Sequence, residues 1–217
     1  EIWDTLIANK KVSVTWENVY DYWREYGLTV AIMSFLTLNA DELLELDFER
    51  LGDDFKRDII KSDLEGTIFS KLLPCLQMED FDIPLEEIDD EKLEIMIQQH
   101  YLKFSIATYS ELDQCAPELC AEFILQNQEQ YQYNIDDVAL TEAVFEKLLL
   151  SDRTEDVIKK HIITRDGTEL ITAATAQRVL RMDMVIGKEV FAKTWEKFSD
   201  SQERKELMFK QLRSLTE

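Results

Sequence analysis

The chain has 217 residues, 45% of them hydrophobic, which is enough for a sizeable core and too many for a disordered polymer even with 32% charged residues. Its formal charge of -21 excludes a phosphate backbone as a direct partner, because that needs a basic footprint, and argues against docking on an anionic membrane. Only five Gly and three Pro interrupt regular structure, which favours helices.

In chain order, Ile2, Trp3, Leu6 and Ile7 recur at helical spacing and predict a helix over 2–9. Val12 and Val14 lead into Thr15, an N-cap, with Glu17 in the first turn where the helix dipole favours an acid. The helix over 16–26 carries Trp16, Val19, Tyr20, Trp23 and Tyr26 at steps of three and four, and Gly27 stops it. Such an aromatic face is either core or the wall of a binding pocket, and filling the space between helices is the commoner use. A third helix is predicted over 29–38, ending at Asn39, whose spacing to Glu42 matches a capping box. Two more helices lie between 53 and 76, with Ser62 and Glu65 spaced as a capping box between them.

Residues 78–90 lack periodicity and read as a solvated acidic loop with one short turn. Within 79–94 nine acids face the single base Lys92. The alternating oxygen ligands and turn Gly of a calcium loop are missing; an acidic patch for a basic partner is the other use of such a run. Helices follow over 90–100, over 106–116 with Ser105 as cap, and over 118–127 after Pro117. Residues 131–138 read as a connector. Thr141 caps a helix over 142–150, with Leu140 and Phe145 as a hydrophobic staple. A helix over 155–163 and a turn at Gly167 lead to one over 169–181, and the last two are predicted over 188–198 and 201–215.

One plan recurs along this series. Shifted by 89 residues, Ile59 and Ile60 fall on Leu148 and Leu149, Ser62-Asp63 on Ser151-Asp152, and Leu72 on His161. Phe35 and Asn39 are echoed by Phe123 and Asn127, and the lead-in to Thr15 recurs before Ser105 and again at Met184 to Gly187, a register that puts Phe191 on Val19 and Trp195 on Trp23. Apolar positions at steps of three and four throughout set the expectation of an all-α chain without a sheet, and the recurrence makes it a repeat unless amphipathic helices agree by chance. Its form would be a right-handed α-solenoid of HEAT-like helical repeats, one continuous domain with units at 1–89 and 90–179 and a partial unit at 180–217.

No constellation of catalytic residues stands out, so no catalytic, cofactor-binding or metal site is assigned. His100 and His161 have no ligand partner at suitable spacing on their own helices, and His161 is expected to face the interior or its rim, as Leu72 does. Cys75, Cys115 and Cys120 match neither a zinc knuckle nor a disulfide framework and read as reduced, structural thiols in the cytoplasm. No phosphate-binding or hydrolase motif is present, and no apolar run reaches the roughly 18 residues of a spanning helix.

The capped aromatic helix from Thr15 to Trp23 and the leucine-rich close at Leu148 to Asp152 resemble the helical-repeat regions that follow the NTPase domain in bacterial YobI-like P-loop NTPases. That resemblance implies a scaffold or sensor region of a larger intracellular ATPase, membrane-associated or not, with no nucleotide-binding part in this stretch. The start at Glu-Ile-Trp reads as an excerpt of a longer protein. The functional expectation is a non-enzymatic interaction region whose partner is another protein or neighbouring parts of its own parent. The alternative is a small ligand-binding or enzymatic domain using the helix over 16–26 as a pocket wall. Apolar residues near both ends, Ile2 to Ile7 and Leu207 to Leu215, predict self-association or fraying at the termini, and the slightly basic stretch 178–217 also suits docking on the acidic loop near Glu86 of another copy.

Overall fold

The computed structural model describes residues 16–43, 52–78, 81–182 and 184–197, together with the single positions 5, 202 and 206. The expected helices over 2–9 and 201–215, the Thr15 cap and the apolar ends lie outside the described residues, as do the side chains of Trp16, Phe191 and Trp195. Among the described residues there are twelve α-helices, short 3-10 turns and no strand. The chain divides into two compact units, Glu1–Leu102 and Lys103–Glu217.

The first unit holds α1 (Trp16–Tyr26), α2 (Val30–Leu43), α3 (Asp53–Lys61), α4 (Gly66–Leu72) and α5 (Asp90–Gln98). Gly27 ends α1 in the left-handed region at φ 72°, a conformation open to glycine at little cost, and its N–H donates to Trp23 O at 2.7 Å. Asn39 kinks α2 rather than ending it: its Nδ2 donates to Phe35 O at 2.8 Å, replacing a backbone bond, and the helix resumes to Leu43. The core is built from Ile32 and Leu36 of α2, Phe55 and Ile59 of α3, and Phe69 and Leu72 of α4, all nearly inaccessible. Each such side chain contributes roughly 1.5–3 kcal/mol by leaving water.

Two expectations for this unit are corrected. Ser62 and Glu65 form no capping box, because Ser62 serves the preceding helix, its Oγ donating to Ile59 O at 2.6 Å, while Leu64 is drawn into the core and delays α4 to Gly66. The acidic loop is not simply solvated. Ile83, Leu85 and Ile88 are buried, and its acids tie to α3 through Asp82–Arg57 at 2.8 Å and Glu87–Lys61 at 3.0 Å.

The second unit holds α6 (Ile106–Cys115), α7 (Cys120–Gln126), α8 (Gln128–Asn134), α9 (Glu142–Leu150), α10 (Asp156–Leu170), α11 (Ala173–Met182) and α12 (Met184–Lys197). The caps fall where the sequence places them. Ser105 Oγ accepts from Thr108 N at 3.0 Å, Thr141 Oγ1 accepts from Val144 N at 3.3 Å, and Leu140 and Phe145 are both buried beside the second cap.

Three expectations fail here for identifiable reasons. Residues 131–138 are no plain connector, since α8 and a 3-10 turn over Ile135–Asp137 occupy most of them; Tyr131 and Ile135, four apart, are the buried anchors of an otherwise polar stretch. Gly167 makes no turn and lies buried within α10, where a Cβ would stand 3.0 Å from Ile171 Cδ1 and 3.4 Å from Lys193 Cγ. Its missing side chain lets α12 approach, which offsets the roughly 1 kcal/mol that a mid-helix glycine costs. Met184 to Gly187 are the first turn of α12, not a lead-in, because position 187 offers no side-chain oxygen to cap a later start.

The two corners share an outline. α3 and α9 each have nine residues, bounded by Ser62 and Ser151, with Phe55, Lys56, Ile59 and Ile60 buried in one and Val144, Phe145, Leu148 and Leu149 in the other. The loop to the next helix is one residue longer in the second corner, so buried Leu64 corresponds to buried Thr154 and Leu72 to Ile162, not to His161. His161 stands at the rim, with 41% of its side chain exposed.

Candidate functional site

The most developed surface feature lies in the first unit, where α1 and α2 meet α3 and its corner. Val19 of α1 is buried, whereas Tyr20 and Trp23 are half-buried and set their rings edge-on against Phe55, with centroids 6.1 and 5.1 Å away. The indole N–H of Trp23 donates to Asp58 Oδ2 at 2.8 Å, which fixes the ring and keeps a carboxylate beside it. Farther along, Tyr26 is 58% exposed and rests on Tyr22 with centroids 4.7 Å apart. The aromatic stripe is therefore core at Val19 and surface at Tyr26.

Between these ends Tyr20, Trp23, Arg24 and Gly27 of the α1 segment and Asp54 and Asp58 of α3 enclose an open notch of about 530 Å³. The Arg24 guanidinium already sits over the Tyr20 ring, 5.9 Å from its centroid. Asp58 also lines a larger groove of about 960 Å³. Leu28, Val30, Met33 and Leu38 form its apolar wall; Lys61, Ser62, Asp63 and Glu65 of the corner form the other. Val30 is 83% and Leu38 52% exposed, a large apolar area for a groove wall. Lys61 is already paired with Glu87, so the charge facing the groove is that of Asp58, Asp63 and Glu65. The arrangement suits a ligand with apolar side chains and a cation, and it offers no acid–base pair poised on a nucleophile.

A second hollow of about 500 Å³ lies on α10, lined by Asp136, Val157, Lys160, His161, Thr164 and Arg165. His161 Nε2 and Asp136 Oδ1 are 2.6 Å apart, an orientation that could serve a general base. Of the lining residues only Thr164 has a hydroxyl, and it is committed to Lys160 O at 2.9 Å. The Arg165 guanidinium is engaged by the Asp166 carboxylate. The hollow thus presents two ion pairs and Lys160.

His100 ends α5 in the left-handed region at φ 55° and is exposed. All three cysteines are free thiols; burial, with Asp113 nearby, pushes the Cys120 thiol up to about 12, and burial also raises that of Cys75. Thiols held protonated in this way are poor nucleophiles. Among the described residues no three His, Cys, Asp or Glu converge as a metal would need, and no helix is long and apolar enough to cross a membrane.

Sequence reasoning missed Val30, Leu38, Asp54, Asp58 and Asp63. A signal existed for the first two: residues 30–38 are apolar nearly all round, and such a helix is either wholly buried or keeps an apolar face for something else. The acids carried none, since their relation to α2 comes from tertiary packing. Fold and site together define an all-α protein with an acid-rimmed apolar groove. No family model matches the chain, and no curated protein and no solved structure matches it either.

Proposed function

We propose that this chain is a non-enzymatic helical-repeat scaffold whose task is to hold protein partners, its units stacking as an α-solenoid. The observation that carries this reading is the recurring corner: two nine-residue helices closing on Ser62 and Ser151 with four buried positions in the same register. Units of that kind bury their apolar faces on neighbours and leave grooves between helices for partners. On this reading the chain serves a larger protein, as the likeness to the helical regions of YobI-like NTPases implies. Small-angle scattering tests the array. A compact chain of this length has a radius of gyration of about 17 Å, so the array predicts a clearly larger value and a measurement near 17 Å overturns it.

One observation favours a second reading, a small ligand-binding domain with α1 as a pocket wall: Tyr20 and Trp23 are only half-buried and share a notch with Asp54 and Asp58. A free organic cation such as arginine methyl ester would then raise the melting temperature by itself. The scaffold reading expects no such shift.

A further inference from the structure

We propose that the groove of the first unit, together with the Tyr20–Trp23 notch, is a docking site for an amphipathic helix of a partner protein that carries arginine. The proposal rests on the scaffold reading and names what the scaffold holds. Its first support is the exposed stripe of α2. Val30, Ser34 and Leu38 are four apart, with Met33 between them, and span about 12 Å, two turns of a helix laid alongside. α2 is helical, so its backbone has no free edge for an added strand, and a partner reaches it through side chains entering the groove.

The second support is charge. Asp58, Asp63 and Glu65 line the groove while Lys61 is paired with Glu87, so the groove attracts a basic partner and repels an acidic one; in the notch Asp54 is paired with Arg57 at 2.8 Å and Arg24 adds a positive charge, so the attraction comes from the groove acids. The third selects arginine over lysine. The Arg24 guanidinium over the Tyr20 ring shows that this ring takes a planar cation, and a partner's arginine takes the place of Arg24 there; Asp58, held by the Trp23 indole at one oxygen, stands at the junction of notch and groove. A planar cation stacks on a ring and bridges to a carboxylate at once, which a compact ammonium does less well.

The test is selection of a displayed library of helical peptides against the full chain, followed by binding of the recovered peptides to Leu38→Glu and Asp63→Lys. Both positions lie at the surface, and unchanged circular dichroism shows that the variants fold. The proposal expects recovered peptides with apolar residues four apart and at least one arginine, weakened about tenfold or more by Leu38→Glu and severalfold by Asp63→Lys, with affinity falling as salt rises. Recovery of no binder, of acidic binders, or of peptides indifferent to both variants overturns it. Sedimentation of the wild type supplies a further arm: dimers that Leu38→Glu converts to monomers make the occupant a second copy and overturn the partner assignment. The outcomes separate from those of scattering. An elongated chain without such peptides refutes the docking site alone, and a compact chain that binds them refutes the array alone.

Discussion

At the first corner the carbonyls of Ile60 and Ser62 receive the ammonium of Lys92, which reaches back from α5; at the second the backbone of 153–155 is held by Gln128, which reaches forward from α8. The needs differ: Ile60 and Ser62 close α3, and a helix that stops leaves its last carbonyls without partners, whereas Arg153 and Glu155 lie in the loop after α9. The solutions differ in chemistry. Lys92 is 2% exposed, its ammonium lying among those two carbonyls, the Asp89 carboxylate at 3.2 Å and the face of Phe69. Gln128 is neutral and works at both ends of its amide, donating to Arg153 O at 2.9 Å and accepting from Glu155 N at 2.8 Å. Likewise Lys56, whose ammonium donates to Gln77 O, occupies the register position that Phe145 fills with a ring. A corner's place is set by local sequence, and its fastening is free to vary.

The largest expected effect breaks the first fastening. Lys92→Met keeps the stem and deletes the ammonium, leaving two carbonyls short of a donor, and should cost roughly 2–4 kcal/mol in urea unfolding. The matching change, Gln128→Ala, removes a neutral clamp at a partly exposed site and should cost about 1–2 kcal/mol. If Gln128→Ala proves the worse of the two, the contrast between a charged and a neutral clamp is wrong.

That contrast marks the limit of what the sequence shows. Thr141, Ser105 and Gly27 were readable because a cap acts on residues within four positions of itself. The nine-residue span of α9 was readable because apolar spacing and the Thr141 and Ser151 boundaries agree. Lys92, in contrast, looked like the lone base of an acidic run, and its role depends on Ile60 and Ser62, some thirty positions earlier. The groove was only half hidden: residues 30–38 are apolar nearly all round, but which side of α2 stays uncovered is set by its packing, with Ala31, Ile32, Phe35 and Leu36 buried and Val30 and Leu38 exposed. The slip over Gly167 has another cause, as a glycine marks a turn or a close approach equally well and only the position of α12 decides.

Alkaline pH should distinguish the units. Burial raises the acid groups of Tyr109, Cys120 and Tyr131 in the second unit, and in the first it raises Tyr101 and Cys75. A group whose folded value is raised stabilises fully below its unfolded value, about 8.5 for Cys and 10 for Tyr, and that stability is lost as pH climbs toward the folded value. Amide exchange measured between pH 8 and 11 should therefore show protection in α6 to α8 falling sooner than in α3 and α4. Equal loss in both would remove this distinction.

The smallest effect concerns the extra residue of the second corner. Because the added residue lies in the loop, each position of the following helix is filled by the residue one further along, so Ile162 takes the core position of Leu72, and His161, about 100° round the helix from it, stands at the rim. There His161 meets Asp136, but the two side chains are 41% and 73% exposed, and an ion pair open to water contributes little. His161→Ala should change stability by less than about 0.5 kcal/mol, with no more effect at low pH in high salt than in low salt. Ile162→Ala, one position on, should cost about 2–4 kcal/mol, as should Leu72→Ala, because each opens a cavity where the other corner has the same packed side chain. A large loss at His161 with little at Ile162 would mean that the second corner keeps the register of the first after all, its following helix starting one residue earlier, at Glu155.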